Sequence, residues 1–207
     1  MEDVLDVYQR PLDLKRPLIC LDETGKELQE TPRGHMPLVP GQAIRQDYEY
    51  VRHGACNMFL AIAPLLGWRK VCVTDRHTGA ELAEYLRQLV EEDFPDADCL
   101  VLVTDNLNIH TPACLYQRFA PEQARRIAAK LEWHHTPEHA SWMNIAECEL
   151  SVLARQCLDR RIPDRATLEQ ALAAWETKRN RTHIKVTWQF TTADARIKLK
   201  RLYPIIA

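Results

Sequence analysis

Residues 99–105, CLVLVTD, are apolar without alternation until an aspartate closes the run. A strand that is apolar on both faces is buried on both, as a central parallel strand covered by helices is. The surroundings agree. Residues 79–92 (GAELAEYLRQLVEE) read as an amphipathic helix with Leu82, Leu86, Leu89 and Val90 on one stripe. Downstream, 121–130 read as a short helix and 131–135 (LEWHH) as a strand. Strands alternating with helices in this way predict an α/β fold, a mixed sheet with helices on both faces. In such sheets ligands bind beyond the carboxyl ends of the strands, where Asp105 stands. An aspartate there can also cap its own turn, helped by Asn106 and Asn108.

Further strands are expected at 17–23 (PLICLDE), 54–63 (GACNMFLAIA) and 70–75 (KVCVTD), with 26–30 as a hairpin partner of 17–23 across Thr24-Gly25. Residues 31–53, rich in Pro, Gly and charge, read as a long connection or flap. The longest helix is expected from Ser141, as N-cap, to about Arg160, and another over 165–181. Two more acids sit beside this framework. Asp22 ends the first strand, but Glu23 follows it, and alternation lets only one of them face a given site. On the long helix Met143, Ala146, Leu150, Leu153 and Cys157 form the buried stripe. Glu147 and Glu149 flank it on opposite sides, each by roughly 80°. Periodicity leaves both pairs undecided, and any of the four can be a turn or surface acid.

The composition, 46% hydrophobic and 27% charged over 207 residues, is that of a globular protein, and one domain spanning 1–207 is the default. No stretch approaches the roughly 18 uncharged apolar residues of a membrane span. The N-terminus is acidic and broken by Pro11, unlike a signal peptide. Seven scattered cysteines without a C-x-x-C suit reduced thiols in a cytoplasmic protein rather than a zinc site. The net charge of −2 conceals an asymmetry. Residues 151–207 hold 12 Lys and Arg against 5 Asp and Glu, which leaves 15 against 24 in 1–150. An acidic, cation-attracting body thus carries a basic helical C-terminal part. The bland alternative is that these cations only solvate helices.

His110, His134, His135 and His139 cluster near the same region but lack transition-metal spacing. His110, five residues after Asp105, fits a supporting or DNA-contacting role better. G-x-S-x-G and the phosphate-loop G-x-x-x-x-G-K-[ST] are absent from the sequence.

Three segments carry a family resemblance: LICLDE, LVTDNLNIHTP, and TPEHASWMNIAECELSVLARQCLDRRI with its S-x-x-N-x-x-E pattern. With the C-terminal WQFTTADARIKLKRLYP they resemble a DDE transposase of the bacterial insertion-sequence branch of the Tc/mariner superfamily. The resemblance implies an RNase H-like fold, a five-stranded mixed sheet flanked by helices. Its first and fourth strands present the aspartates, so one of the six runs above extends a neighbour or falls outside. It selects Asp22 over Glu23 and Glu147 over Glu149, making Asp22, Asp105 and Glu147 the catalytic and metal-binding set. The 41 residues between Asp105 and Glu147 exceed the usual family spacing, and the excess is expected around 112–130. The N-terminal helix-turn-helix DNA-binding domain of full-length members is expected to be absent.

The implied activity is DNA strand cleavage and transfer during transposition of an insertion sequence. Two Mg²⁺ ions, or Mn²⁺ in their place, serve the carboxylates, because hard cations prefer oxygen donors and a pair can clamp an in-line displacement at phosphorus. Arg160, Arg161, Lys178, Arg179, Arg181, Lys198, Lys200 and Arg201 are expected on the DNA backbone, where contacts add affinity without sequence preference. The resemblance also implies a TA dinucleotide target, a homodimer on two transposon ends, and a place in the bacterial cytoplasm at the nucleoid. The rivals are an inactive or regulatory remnant that binds DNA or partner transposase, and a stand-alone RNase H-like nuclease.

Overall fold

The computed structural model describes residues 1–32, 41 and 48–203. Its sheet comprises β1 (Leu18–Glu30), β2 (Val51–Ala63), β3 (Trp68–Thr74), β4 (Leu100–Thr104) and β5 (Leu131–His135). The spatial order is β3-β2-β1-β4-β5. β1, β2 and β3 pair antiparallel, whereas β4 lies parallel to both β1 and β5. This is the expected five-stranded mixed sheet, with the unbroken apolar run of β4 at an interior position, buried throughout.

Alternation along the strands divides the interior in two. Cys20, Met58, Leu60, Ile62, Val101 and Val103 face one way. They pack with α5 (Ile145–Leu153) and α6 (Arg165–Arg181), through Ile145, Ala146, Leu153, Leu168 and Leu172. Ile19, Leu21, Phe59, Ala61 and Leu102 face the other way, onto α2 (Gly79–Gln88), α3 (Ala113–Arg118) and α4 (Pro121–Ala128). Thr78 caps α2 in a reciprocal pair with Glu81. Two short helices, α1 (Glu2–Tyr8) and α7 (Thr192–Lys198), complete the first layer. Among the described residues no helix is long and apolar enough to cross a membrane.

Three expectations need correction. Thr24-Gly25 is not a hairpin turn: β1 runs straight through it, with Thr24 opposite Met58 and Gly25 opposite Asn57. The local turn signal loses to a β2 long enough to pair along the whole strand, and 26–30 extends 17–23. Second, Ser141 does not cap the long helix. Ser141–Met143 form a 3₁₀ turn, Asn144 is the N-cap, and the helix widens into a π-turn at Ala154–Leu158. Third, α1, α3 and α7 had no counterpart in the sequence reading; at six or seven residues each, they are too short for a clear period. Of the flap at 31–53, residues 33–40 and 42–47 lie outside the described residues, and 51–53 belong to β2.

Candidate active site and nucleic-acid interface

Strand register places the two aspartates. Cys20 pairs with Val103 across the parallel β1–β4 ladder, so Asp22 and Asp105, each two residues further on, stand side by side. Asp105 lies just past β4, whereas Asp22 does not end its strand as expected but pairs with Leu60 inside β1. Cys20 and Val103 both face the α5 layer, and alternation sends both aspartates the same way. Glu23 takes the opposite face. The choice between Asp22 and Glu23 thus follows from which layer holds α5.

Asn144 ties that helix to the strand. Its Oδ1 accepts from the Ala146 N–H at 3.1 Å, capping α5. Its Nδ2 donates to Leu21 O at 2.9 Å and to Asp22 Oδ2 at 3.3 Å. From α1, the Tyr8 hydroxyl donates to Met143 O at 2.8 Å and accepts from the Ile145 N–H at 3.2 Å. Glu147 lies in the first turn of α5, half-buried, and its charge, like that of Asp105, bears on Asp22.

Glu149 has a different task. It is buried, and its carboxylate accepts from Arg69 of β3 (Nε 3.0 Å, Nη2 3.2 Å) and from Arg179 of α6 (Nη2 2.7 Å, Nε 3.0 Å). Arg69 is fully buried. This cluster fastens α5 to the sheet and to α6, and both arginines come from elements remote in sequence.

The electrostatics are those of a site short of positive charge. Burial, followed by the charges of Glu23, Glu147 and Asp105, pushes the Asp22 carboxyl up to about 7. The hydrogen bond from His110 Nδ1 at 2.6 Å instead holds Asp105 below its usual range, against burial. His110 is fully buried and its Nε2 lies 3.2 Å from Glu23 Oε2. Burial works against its charge, but the bond to Asp105 and the nearby Glu23 carboxylate prevail and raise it to about 9. His110 therefore bridges Glu23 of β1 and Asp105 just past β4, and its burial rules out the expected DNA contact. His135 Nε2 bonds to the His110 carbonyl at 2.8 Å, His134 to Asp3 and Glu132, and His139 is exposed.

Among the described residues, no three His, Cys, Asp or Glu side chains converge tightly enough to form a ready-made metal cage. The charges bearing on Asp22 are nonetheless all carboxylates, Glu23, Glu147 and Asp105, which add to its burial in raising its pKa and which a hard divalent cation would neutralise. Mg²⁺ keeps several waters and needs few protein ligands, so the residues present fit it.

Of the expected phosphate-binding residues, Arg160, Lys178, Arg181, Lys198, Lys200 and Arg201 are exposed. A groove of about 720 Å³ between the π-turn and α6 is lined by Arg160, Lys178 and Arg155, which the sequence reading did not single out. Arg179 also lines it, but its guanidinium is committed to Glu149. Arg161 is half-buried and donates to Thr31 Oγ1 at 3.3 Å and Glu49 O at 2.9 Å. The reading of these two as backbone contacts is withdrawn, because each guanidinium is used inside the fold.

Comparison with known proteins agrees with this geometry. The family model described as DDE superfamily endonuclease matches residues 17–169, a span that includes Asp22, Asp105 and Glu147. Among solved structures, the chain is similar to the Mos1 mariner paired end complex with Mn, at a TM-score of 0.55 and 14% identity over 88% of this chain. It is also similar to a pre-cleavage Mos1 transpososome, at a TM-score of 0.48 and 14% identity over 88% of this chain. It spans 55% and 59% of those two chains. At such identity the first likeness supports the fold alone, which is RNase H-like. A search of curated proteins gave no match.

Proposed function

Because this chain belongs to the DDE superfamily endonucleases, we propose that it is the catalytic domain of a transposase, cutting and joining DNA strands with Asp22, Asp105 and Glu147 as its acidic set. One observation carries the assignment: Asp22, inside β1, and Asp105, just past the end of β4, stand on adjacent parallel strands on the face where α5 brings Glu147 to bear on a buried Asp22. The three carboxylates hold Mg²⁺, with Mn²⁺ as a substitute. Such ions supply Lewis acidity at phosphorus and activate the attacking water or 3′-hydroxyl oxygen. Asn144 orients Asp22, and His110 fixes one oxygen of Asp105 while leaving the other free to ligate. No protein nucleophile and no covalent protein–DNA intermediate is required.

Arg160, Lys178, Arg181, Lys198, Lys200 and Arg201 hold phosphates through the salt-sensitive contacts such cations make. We extend the reading to an insertion-sequence element, a TA target, two copies of the chain on two element ends, and a cytoplasmic site of action at the nucleoid. The resemblance in sequence supports these finer points.

The test is nicking of supercoiled plasmid and of element-end duplexes in Mg²⁺ or Mn²⁺. Asp105→Asn should fold, by circular dichroism, and lose all cleavage. Full cleavage by that variant would refute the assignment. A preference for RNA–DNA hybrid over duplex would favour a stand-alone nuclease instead.

A further inference from the structure

Trp142 stands apart from its neighbours: its side chain is 49% exposed while Met143 and Asn144, next along the chain, are fully buried. The ring is not loose. It stacks on Trp188 at 6.5 Å with 26° between the planes and meets Phe190 edge-on at 6.5 Å. Trp188 in turn lies 5.1 Å from Tyr8, whose hydroxyl fixes the start of α5. One residue, Met143, separates Trp142 from Asn144, so their Cα atoms are within roughly 7 Å. The Asn144 side chain is bonded to Asp22. A half-exposed indole packed on Trp188 and Phe190 therefore stands two positions along the chain from the side chain that bonds Asp22.

The charge around that site explains what such a group would do. Among the described residues, the ion pairs of Asp22, Glu23, Asp105 and Glu147 involve His110 and no Lys or Arg. A lysine or arginine beside these acids would neutralise them and compete with a bound cation. A neutral aromatic face can hold nucleic acid there without doing so, because base stacking is tolerant of sequence and needs no charge.

Resting on the proposed DNA substrate, we infer that Trp142, backed by Trp188 and Phe190, is a stacking platform for an unpaired nucleobase of the strand engaged at the carboxylates. The experiment is binding in EDTA, so that no strand is cut, to a duplex with a short unpaired 3′ end and to the same duplex made blunt. The unpaired position carries 2-aminopurine. The wild-type chain should quench its emission, a readout that needs no variant. Trp142→Ala should restore the emission and weaken the unpaired-end duplex roughly tenfold or more, with blunt binding unchanged. Trp142→Phe, which keeps an aromatic face, should retain most of both effects. Circular dichroism checks that the variants fold. Equal loss on both duplexes, loss on neither, or an unquenched probe in a wild-type complex would overturn the platform alone. A wild-type chain that binds no DNA would overturn the DNA reading with it.

Discussion

Glu147 and Glu149 are two residues apart on one helix, and replacing each with alanine should give opposite results. Glu149 is 3% exposed and meets Arg69, itself fully buried, and Arg179, 12% exposed in its side chain. Arg69 Nη1 already lacks a hydrogen-bond partner. Glu149→Ala therefore strands a guanidinium that cannot reach water, and breaking one side of a buried ion pair costs about 3–5 kcal/mol. For a chain of this length each kcal/mol lowers Tm by about 2–4 °C, so the expected drop is about 6–20 °C. Among the described residues Glu147 accepts no such bonds, and it bears on Asp22 as a like charge, so Glu147→Ala should change stability by no more than about 0.5 kcal/mol, toward stabilisation if anything. Calorimetry without divalent metal gives both numbers. Plasmid nicking below the lower Tm should then show cleavage in Glu149→Ala and none in Glu147→Ala. The reasoning fails if Glu149→Ala melts like the wild type, or if Glu147→Ala melts as early as Glu149→Ala.

Three further outcomes follow from the site. His110, raised from 6.5 to about 9, makes stability fall with pH above about 6.5. Below that the Asp22 carboxyl, raised from 3.8 to about 7 on folding, makes the folded chain bind more protons than the unfolded one, so its share of the stability also falls as pH rises and is lost by about 7. Urea midpoints of the metal-free chain should show this decline, Asp22→Asn should remove that carboxyl's share of it, and Mg²⁺ or Mn²⁺ should raise the wild-type Tm more at about pH 8 than at about pH 5. Asn144→Ala removes the α5 cap and the donor to Asp22 together, for a loss of about 1 kcal/mol and a larger fall in cleavage, read by melting and nicking. Lys178→Ala should reduce the slope of DNA affinity against salt by about 1 with Tm unchanged, whereas Arg179→Ala should lower Tm, because only the first side chain is free to meet a phosphate.

Local pattern made some of this legible. The unbroken apolar run of 100–104 marked the interior strand, and strand 131–135 and helix 165–181 appear with the expected bounds. What pattern could not supply depends on partners far along the chain. Nothing near Thr24-Gly25 announces that β2 will pair across it. Nothing near Glu149 announces Arg69 and Arg179. Angle alone left Glu147 and Glu149 level, and only the ion pairs of Glu149 with Arg69 of β3 and Arg179 of α6 separate them. Asp22 and Glu23 were likewise level until the sheet acquired two faces. Asn144 was more accessible: asparagine ahead of a helical run is a favoured N-cap, and here Ser141, three residues earlier, had been preferred to it.

The β1–β4 ladder ends at Cys20, while β1 itself runs on to Glu30. Beyond that point no strand among the described residues covers its β4 side, and a long bare edge is a template on which a second chain can add a strand and begin to aggregate. Residues around α5 stand in the way: Asn144 takes the Leu21 carbonyl, Ile162 receives the Gln29 N–H at 2.7 Å, and Lys26 reaches the carbonyls of Leu158 and Arg160. The segment around the helix that carries Glu147 therefore also shields this edge of β1. A variant that loosens it, Glu149→Ala first among them, should lose solubility on warming, and its unfolding should become irreversible as concentration rises.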